Sequence, residues 1–348
     1  MNNMFGRLLL VAVILGMVLF TSCTSGPSEQ PVNLVGAGSS FVNPIMTRWI
    51  ADFQQSNGNI HINYQSVGSG AGIEQLKKGL VDFGASDVAL TDDKLKDMPA
   101  IVQLPESAGP VCITYNLPSL KEALKLSGPT LAGIYLGTIK KWDDPAIAKD
   151  NPGVKLPHAD IVVAHRSDGS GTSGIFTSYL DAVSPDWHSK VGKGLSVQWP
   201  AGLGGKGSDG VTGVVKQTEG GIGYVELTYA MQNNLPVAQL RNKAGKWIAP
   251  SSESASAAIA AFDKELGQDV RTLIVDPPAT APDAYPITGL TYLMIPKQGK
   301  EAANGPAVVK FVQHVITTGQ DQAPGLHYAK LPPQLQQLDQ QLLQQVGK

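Results

Sequence analysis

The residues best able to do chemistry in this chain are one arginine, two aspartates and three loops of glycine and serine. Arg166 heads the run Arg-Ser-Asp-Gly-Ser-Gly-Thr172, with Asp168 two residues on. A guanidinium presents a rigid fork of donors suited to an oxyanion, and a neighbouring carboxylate can orient that fork. Loops of Gly and Ser recur at 36–40, 68–72 and 167–174. Such a loop ahead of a helix leaves backbone N–H groups free. It adds hydroxyl donors and sets the positive end of the helix dipole behind them, which makes an anion site. For any one loop, ordinary capping by serine explains as much. For Arg166 and Asp168, a solvated ion pair does. Asp87 is the odd member, a carboxylate expected at a strand end. It repels a fully deprotonated anion and suits only a ligand that brings a proton of its own. Capping of the segment starting at Val88 is the other reading of Asp87.

Other constellations fail. Gly202-Leu-Gly-Gly-Lys-Gly207 matches G-x-G-x-x-G in its letters, but Trp199-Pro-Ala201 before it is not a clean strand and no βαβ unit is expected around it, so dinucleotide binding is set aside. Lys206 is followed by Gly207, so there is no Walker A motif, and no G-x-S-x-G elbow occurs. Histidines 61, 158, 165, 188, 314 and 327 form no H-E-x-x-H pair, and only His165 adjoins the arginine loop. No metal, cofactor or catalytic residue is expected, so a secreted phosphatase using Asp87 or a serine is the weaker reading.

The elements that must position these groups alternate. Strands are expected at 33–35, 60–67, 81–85, 111–115, 161–164, 221–225 and 291–295. Helices are expected at 43–55, 71–79, 131–136, 145–149, 175–183, 251–266 and 307–317. A tail helix over 332–346 carries Leu335, Leu338, Leu342 and Val346 on one face, as an amphipathic surface helix does. Strand–loop–helix units in series predict an α/β fold, and 348 residues suit two domains or one split between two lobes. Charged residues are 16% of the chain and the net charge is −2, with no basic patch, so nucleic acid is not an expected partner.

The N-terminus gives an address. Leu8 to Phe20 is a 13-residue apolar run behind a single positive charge, too short to span a bilayer and suited to a signal peptide. Thr21-Ser22 before Cys23 resemble the lipobox of bacterial lipoproteins, in which Cys23 would carry the lipid. Phe20 stands where that motif usually has Leu. An ordinary signal peptide cut nearby is the alternative. Residues 23–31 then form a polar tether. The other cysteine, Cys112, sits in an apolar strand and reads as a buried small hydrophobe.

Longer motifs carry a family resemblance. They include Gly36-Ala-Gly-Ser-Ser-Phe41, Tyr64-Gln-Ser-Val-Gly-Ser69, Asp82-Phe-Gly-Ala-Ser-Asp87 and Arg166-Ser-Asp-Gly-Ser-Gly-Thr-Ser173. The run from Ile134 to Asp143, Trp199 to Gly210, Gly221 to Glu226 and Tyr285-Pro-Ile-Thr288 extend it over about 33–330. Together they strongly resemble the phosphate-binding protein of bacterial ABC phosphate importers. The resemblance implies a two-lobed, periplasmic-binding-protein-like (type II) fold with a ligand cleft between the lobes. One lobe would be 32–108 plus 284–348 and the other 109–283. It implies phosphate ligands at Ser40, Phe41 (through its N–H), Ser69, Asp87, Arg166, Ser170, Gly171 and Thr172, with Asp168 orienting Arg166. It implies delivery to the permease and ATPase subunits of an importer, on the outer side of a membrane that holds the lipid on Cys23. A phosphate-responsive sensor or adhesion lipoprotein, or a receptor for sulfate or molybdate, is the alternative.

Overall fold

The computed structural model describes residues 30–298 and 304–347, and residues 31–348 cluster as one compact unit. The expected leader, Cys23 and nearly all of the tether lie outside the described residues. Eleven strands are described: β1 (Val32–Gly38), β2 (Ile60–Ser66), β3 (Phe83–Ser86), β4 (Ile101–Tyr115), β5 (Lys125–Leu126), β6 (Val162–Arg166), β7 (Leu203–Gly205), β8 (Gly221–Glu226), β9 (Gln239–Arg241), β10 (Trp247–Ile248) and β11 (Thr288–Pro296). Eight of them form one sheet in the order β2-β1-β3-β11-β4-β8-β6-β7, and β10-β9-β5 form a small second sheet.

The pairing explains where a ligand can sit. β1 lies between β2 and β3 and is parallel to both. The chain leaves β1 through helix Asn43–Ser56 to reach β2 on one side. It returns through helix Ser69–Lys77 to β3 on the other. β6 repeats the pattern, parallel to both β7 and β8, with helix Gly171–Val183 following β6 on the way to β7 and helix Gly207–Gln217 joining β7 to β8. The carboxyl end of such a strand is a topological switch point, where the loops part and open a crevice. The sheet therefore has two of these points, after Gly38 and after Arg166, and each carries one of the Gly/Ser loops.

β4 joins the two halves. Ile101–Pro110 pair with β11 and Val111–Tyr115 pair with β8, so a single 15-residue strand serves both half-sheets. Only 111–115 was expected as strand, because Pro105, Glu106, Gly109 and Pro110 read as strand breakers. The ladder register shifts opposite Glu106, whose carboxylate is buried and accepts from Thr291 Oγ1 at 2.6 Å. Cys112 is buried on the same strand as a free thiol.

Helices pack over the sheet on apolar faces that carry Trp49 and Trp187, and Trp142 is buried from a turn between helices; all three are fully buried. The expected helix 251–266 is broken into Ser252–Ala260 and Asp263–Gln268, with Ala261 and Phe262 between them. Both lie in the stretch expected to belong with 109–283. Their buried side chains Ala255, Ile259 and Leu266 join one cluster with Ala108, Leu290, Tyr292 and Leu335. The tail helix is Pro333–Leu343, and its buried face is Leu335, Asp339 and Leu343. Spacing by four residues places Asp339 at the centre of that face, while Leu338, Leu342 and Val346 of the expected face are only partly buried. Among the described residues, no helix is long and apolar enough to cross a membrane.

Candidate functional site

Loops of the two half-sheets meet. The loop after β2 touches the loop after β6 through Gly70 N–H, which donates to the Gly169 carbonyl at 2.9 Å. The approach is so close that a Cβ on Gly68, at φ +91°, would lie 2.2 Å from Asp168 Oδ2. One on Gly171 would lie 2.6 Å from Ser69 Oγ and 2.7 Å from the Asp87 backbone nitrogen. Glycine is required at both positions by proximity, and at Gly68 by conformation as well.

At the junction sits Asp87, buried at the end of β3. It receives hydrogen bonds from Ser39 Oγ on one oxygen and from Thr172 Oγ1, at 3.1 Å, on the other. It does not cap the segment at Val88, whose N–H goes to Ser86 Oγ instead. Opposite lies the Arg166 side chain, 2% exposed. Its Nε and Nη2 donate to the two oxygens of Asp168 at 2.7 and 2.6 Å, while Nη1 reaches Thr172 Oγ1 at 3.5 Å. Asp168 thus takes one edge of the fork and aims the other at Thr172 and Asp87. Asp168 is itself held by Gly207 N–H at 3.0 Å. Tyr224 OH accepts from the Arg166 backbone N–H at 3.1 Å and lies 2.6 Å from Ser173 Oγ, which fixes the start of the helix.

The remaining expected residues gather here. Ser69 is buried, and its Oγ accepts from Asp87 N–H at 3.4 Å. Ser170 is the cap of helix Gly171–Val183, accepting from Ser173 N–H at 3.1 Å. A serine hydroxyl that accepts as a cap keeps its own proton to donate, so capping and ligand binding are compatible. Gly171 and Thr172 form the first turn of that helix. Phe41 N–H donates to Ser39 Oγ at 2.9 Å, which links it to Asp87. Ser40 ties the first loop to the start of helix Gly207–Gln217: its Oγ is 2.9 Å from Ser208 Oγ and accepts from Ser208 N–H at 3.1 Å. His165 stacks on Trp199 at 4.9 Å, beside the loop rather than in it.

The PBP superfamily domain matches residues 25–318 of this chain. Phosphate-binding protein PstS of Xylella fastidiosa is 45% identical over 316 residues, spanning 90% of this chain and 86% of that one. Phosphate-binding protein PstS of Haemophilus influenzae is 41% identical over 309 residues, 88% of this chain and 91% of that one. The chain belongs to this phosphate-binding protein family. An ancestral soluble variant of the human phosphate binding protein has the same fold. It superposes with a TM-score of 0.71 at 18% identity, over 91% of this chain and 99% of that structure. The family's α/β, two-lobed architecture is the fold expected from the sequence.

Within the phosphate-binding protein family fold, the charge at the junction is set by opposing effects. Burial pushes the Asp87 carboxyl up to about 6, against the pull of Ser39, Arg166 and Thr172. It is therefore mostly ionised at pH 7 and able to accept. Burial also works against charge on Asp168, but the Arg166 hydrogen bonds and charge hold its carboxyl below the ordinary range.

Sequence reasoning missed a fourth loop. Leu203–Gly205 is a strand parallel to β6, and helix Gly207–Gln217 starts directly after it, so the rejected G-x-G-x-x-G does lie in a strand–helix–strand unit. A strand of Leu-Gly-Gly carries no alternating pattern, and Gly210 and Gly213 weaken the helical one. Its N-terminal residues Gly207 and Ser208 meet Asp168 and Ser40. Ser39 was also missed, although its hydroxyl is the nearest donor to Asp87.

Proposed function

We propose that this chain captures inorganic phosphate outside the cytoplasm and hands it to the permease and ATPase subunits of an ABC-type importer. The observation that carries the proposal is the pairing of a buried, oriented Arg166 with a buried carboxylate, Asp87, where helices from both half-sheets begin. Arg166, the hydroxyls of Ser40, Ser69, Ser170 and Thr172, and the N–H groups of Phe41, Gly171 and Thr172 are the donors to the phosphate oxygens. Helices Ser69–Lys77 and Gly207–Gln217 begin without a side-chain cap, so their positive ends also favour an anion. Asp87 accepts the hydrogen bond of a phosphate O–H. Sulfate and molybdate carry no such proton near neutral pH, so Asp87 rejects them. The relatives named above are phosphate-binding proteins, in line with this reading.

The lobes of the proposal are 32–108 with 284–348, and 109–283, with β4 crossing between them. The site lies where their loops meet. Nothing in it calls for bond breaking, so the chain delivers rather than converts its ligand. Residues 1–22 are a leader and Cys23 carries the lipid. Lipid labelling that persists in Cys23→Ser would overturn that anchor. Calorimetry of the protein from residue 24 onward tests the main proposal. It should bind phosphate with 1:1 stoichiometry and show no heat with sulfate at the same concentration. Equal binding of both would refute it.

A further inference from the structure

The loop Ser39-Ser40-Phe41 is held in an unusual way. Its three consecutive carbonyls each accept a hydrogen bond from a different tyrosine. Tyr64 OH donates to the Ser39 carbonyl at 2.8 Å, Tyr229 OH to that of Ser40 at 2.6 Å, and Tyr328 OH to that of Phe41 at 2.5 Å. The three tyrosines are 25, 189 and 287 residues away from their carbonyls along the chain. They come from β2, from helix Leu227–Gln232 and from the segment after Leu326.

The members are also tied to one another. Thr228 Oγ1 donates to the Leu326 carbonyl at 2.6 Å, and the Tyr328 hydroxyl lies 3.1 Å from Glu226 Oε2. The Phe41 and Tyr328 rings pack edge to face with centroids 6.0 Å apart.

The geometry has a consequence for the amides. All described peptide bonds are trans. In a trans peptide the carbonyl and the next N–H point in opposite directions. Pinning three carbonyls toward the tyrosines turns the N–H groups of Ser40, Phe41 and Val42 the other way. For Phe41 this is seen directly: its N–H meets Ser39 Oγ, which in turn donates to Asp87. A buried carbonyl needs some partner, but helix or sheet bonds would supply one locally. Here remote, stiff side chains with few rotatable bonds do it, beside one long local bond from Asn43 N–H to the Ser40 carbonyl at 3.4 Å.

We propose that Tyr64, Tyr229 and Tyr328 are positioning residues that form a collar behind the first anion loop and aim its amides at the ligand. The inference rests on the phosphate reading above. Tyr229 lies in the 109–283 segment and the loop in 32–108, so the collar also couples the aim of the loop to the other half of the molecule.

The test uses Tyr229→Phe and Tyr328→Phe, which keep the rings and remove only the hydroxyls. Tyr115→Phe, whose hydroxyl accepts from Leu124 N–H away from the loop, is the control. Phosphate Kd, release rate, the phosphate-to-sulfate preference and the Phe41 amide ¹⁵N signal are measured on the protein from residue 24 onward. Each collar variant should raise Kd about tenfold, the effect of one lost buried hydrogen bond. Faster release should carry the change. The Phe41 signal should move before ligand is added, and the preference over sulfate should persist because Asp87 is untouched. Wild-type Kd in both collar variants would overturn the inference while leaving the phosphate reading intact. An equal loss in Tyr115→Phe would overturn it too, by marking the effect as general loosening. A wild type that takes up no phosphate would overturn the phosphate reading itself, and the collar with it.

Discussion

At the scale of single residues, Arg166 is held, not merely present. Asp168 occupies its Nε–Nη2 edge in two short bonds, so the guanidinium cannot swing away when an anion arrives. Removing it leaves the buried Asp87 and the half-buried Asp168 without a counter-charge. Arg166→Ala should therefore weaken phosphate binding by ~2–5 kcal/mol in a titration. Arg166→Lys should recover little, because an ammonium cannot bond Asp168 and ligand with one planar fork. Full affinity in either variant would place Arg166 outside the site. Much of this was legible in the sequence, since Arg166, Asp168 and Thr172 share one seven-residue run and Asp87 ends a readable strand. Ser39 and Ser208 were not. A serine next to another serine gives no hint of which hydroxyl faces the carboxylate, and that choice is made by the turn after β1.

At the scale of elements, the site is the product of two switch points pressed together. Gly171 shows how little space remains between them. Its Cβ would meet Ser69 and Asp87, which belong to the other half-sheet. Alanine is a better helix former than glycine, so Gly171→Ala should leave helix Gly171–Val183 intact and keep the loops apart instead. Overpacking of this kind costs ~1–3 kcal/mol, so phosphate Kd should rise about tenfold or more. Unchanged Kd would mean that the loops need not meet for binding. The sequence displayed the helices and strands that carry regular apolar spacing, such as Asn43–Ser56 and β2. It hid β7, with its Leu-Gly-Gly, and the first ten residues of β4. There, buried polar groups find tertiary partners that no local pattern announces: Glu106 with Thr291, and the Glu106 carbonyl with Gln320 Nε2 at 2.8 Å.

At the scale of the whole molecule, three carboxyls outside the ligand shell are completely closed off from solvent among the described residues: Glu106, Glu226 and Asp339. Burial pushes each up to about 8; the charge of Asp87 adds to this at Glu106, while Thr291 there and Thr228 and Tyr328 at Glu226 pull the other way. In the unfolded chain such groups lose their protons near pH 4. Between pH 4 and 8 the folded state thus holds protons that the unfolded state has released, and stability falls as pH rises, by ~1.4 kcal/mol per pH unit for each group. Above about 8 the slope vanishes. The melting temperature of unliganded protein should fall from pH 6.5 to 8, and Asp339→Asn should flatten that fall; a rising melting temperature would contradict the assignment. Phosphate capture is the purpose these parts share, and in the proposed reading Asp87 decides which anion is captured. A site built around a hydrogen bond can reject an analogue lacking the proton by roughly 10⁴–10⁵-fold. The most direct test is the ratio of sulfate to phosphate dissociation constants at pH 7, in the wild type and in Asp87→Asn. The account predicts a large ratio in the wild type and a collapse in Asp87→Asn, whose amide can donate to sulfate. Equal rejection of sulfate by both proteins would contradict it.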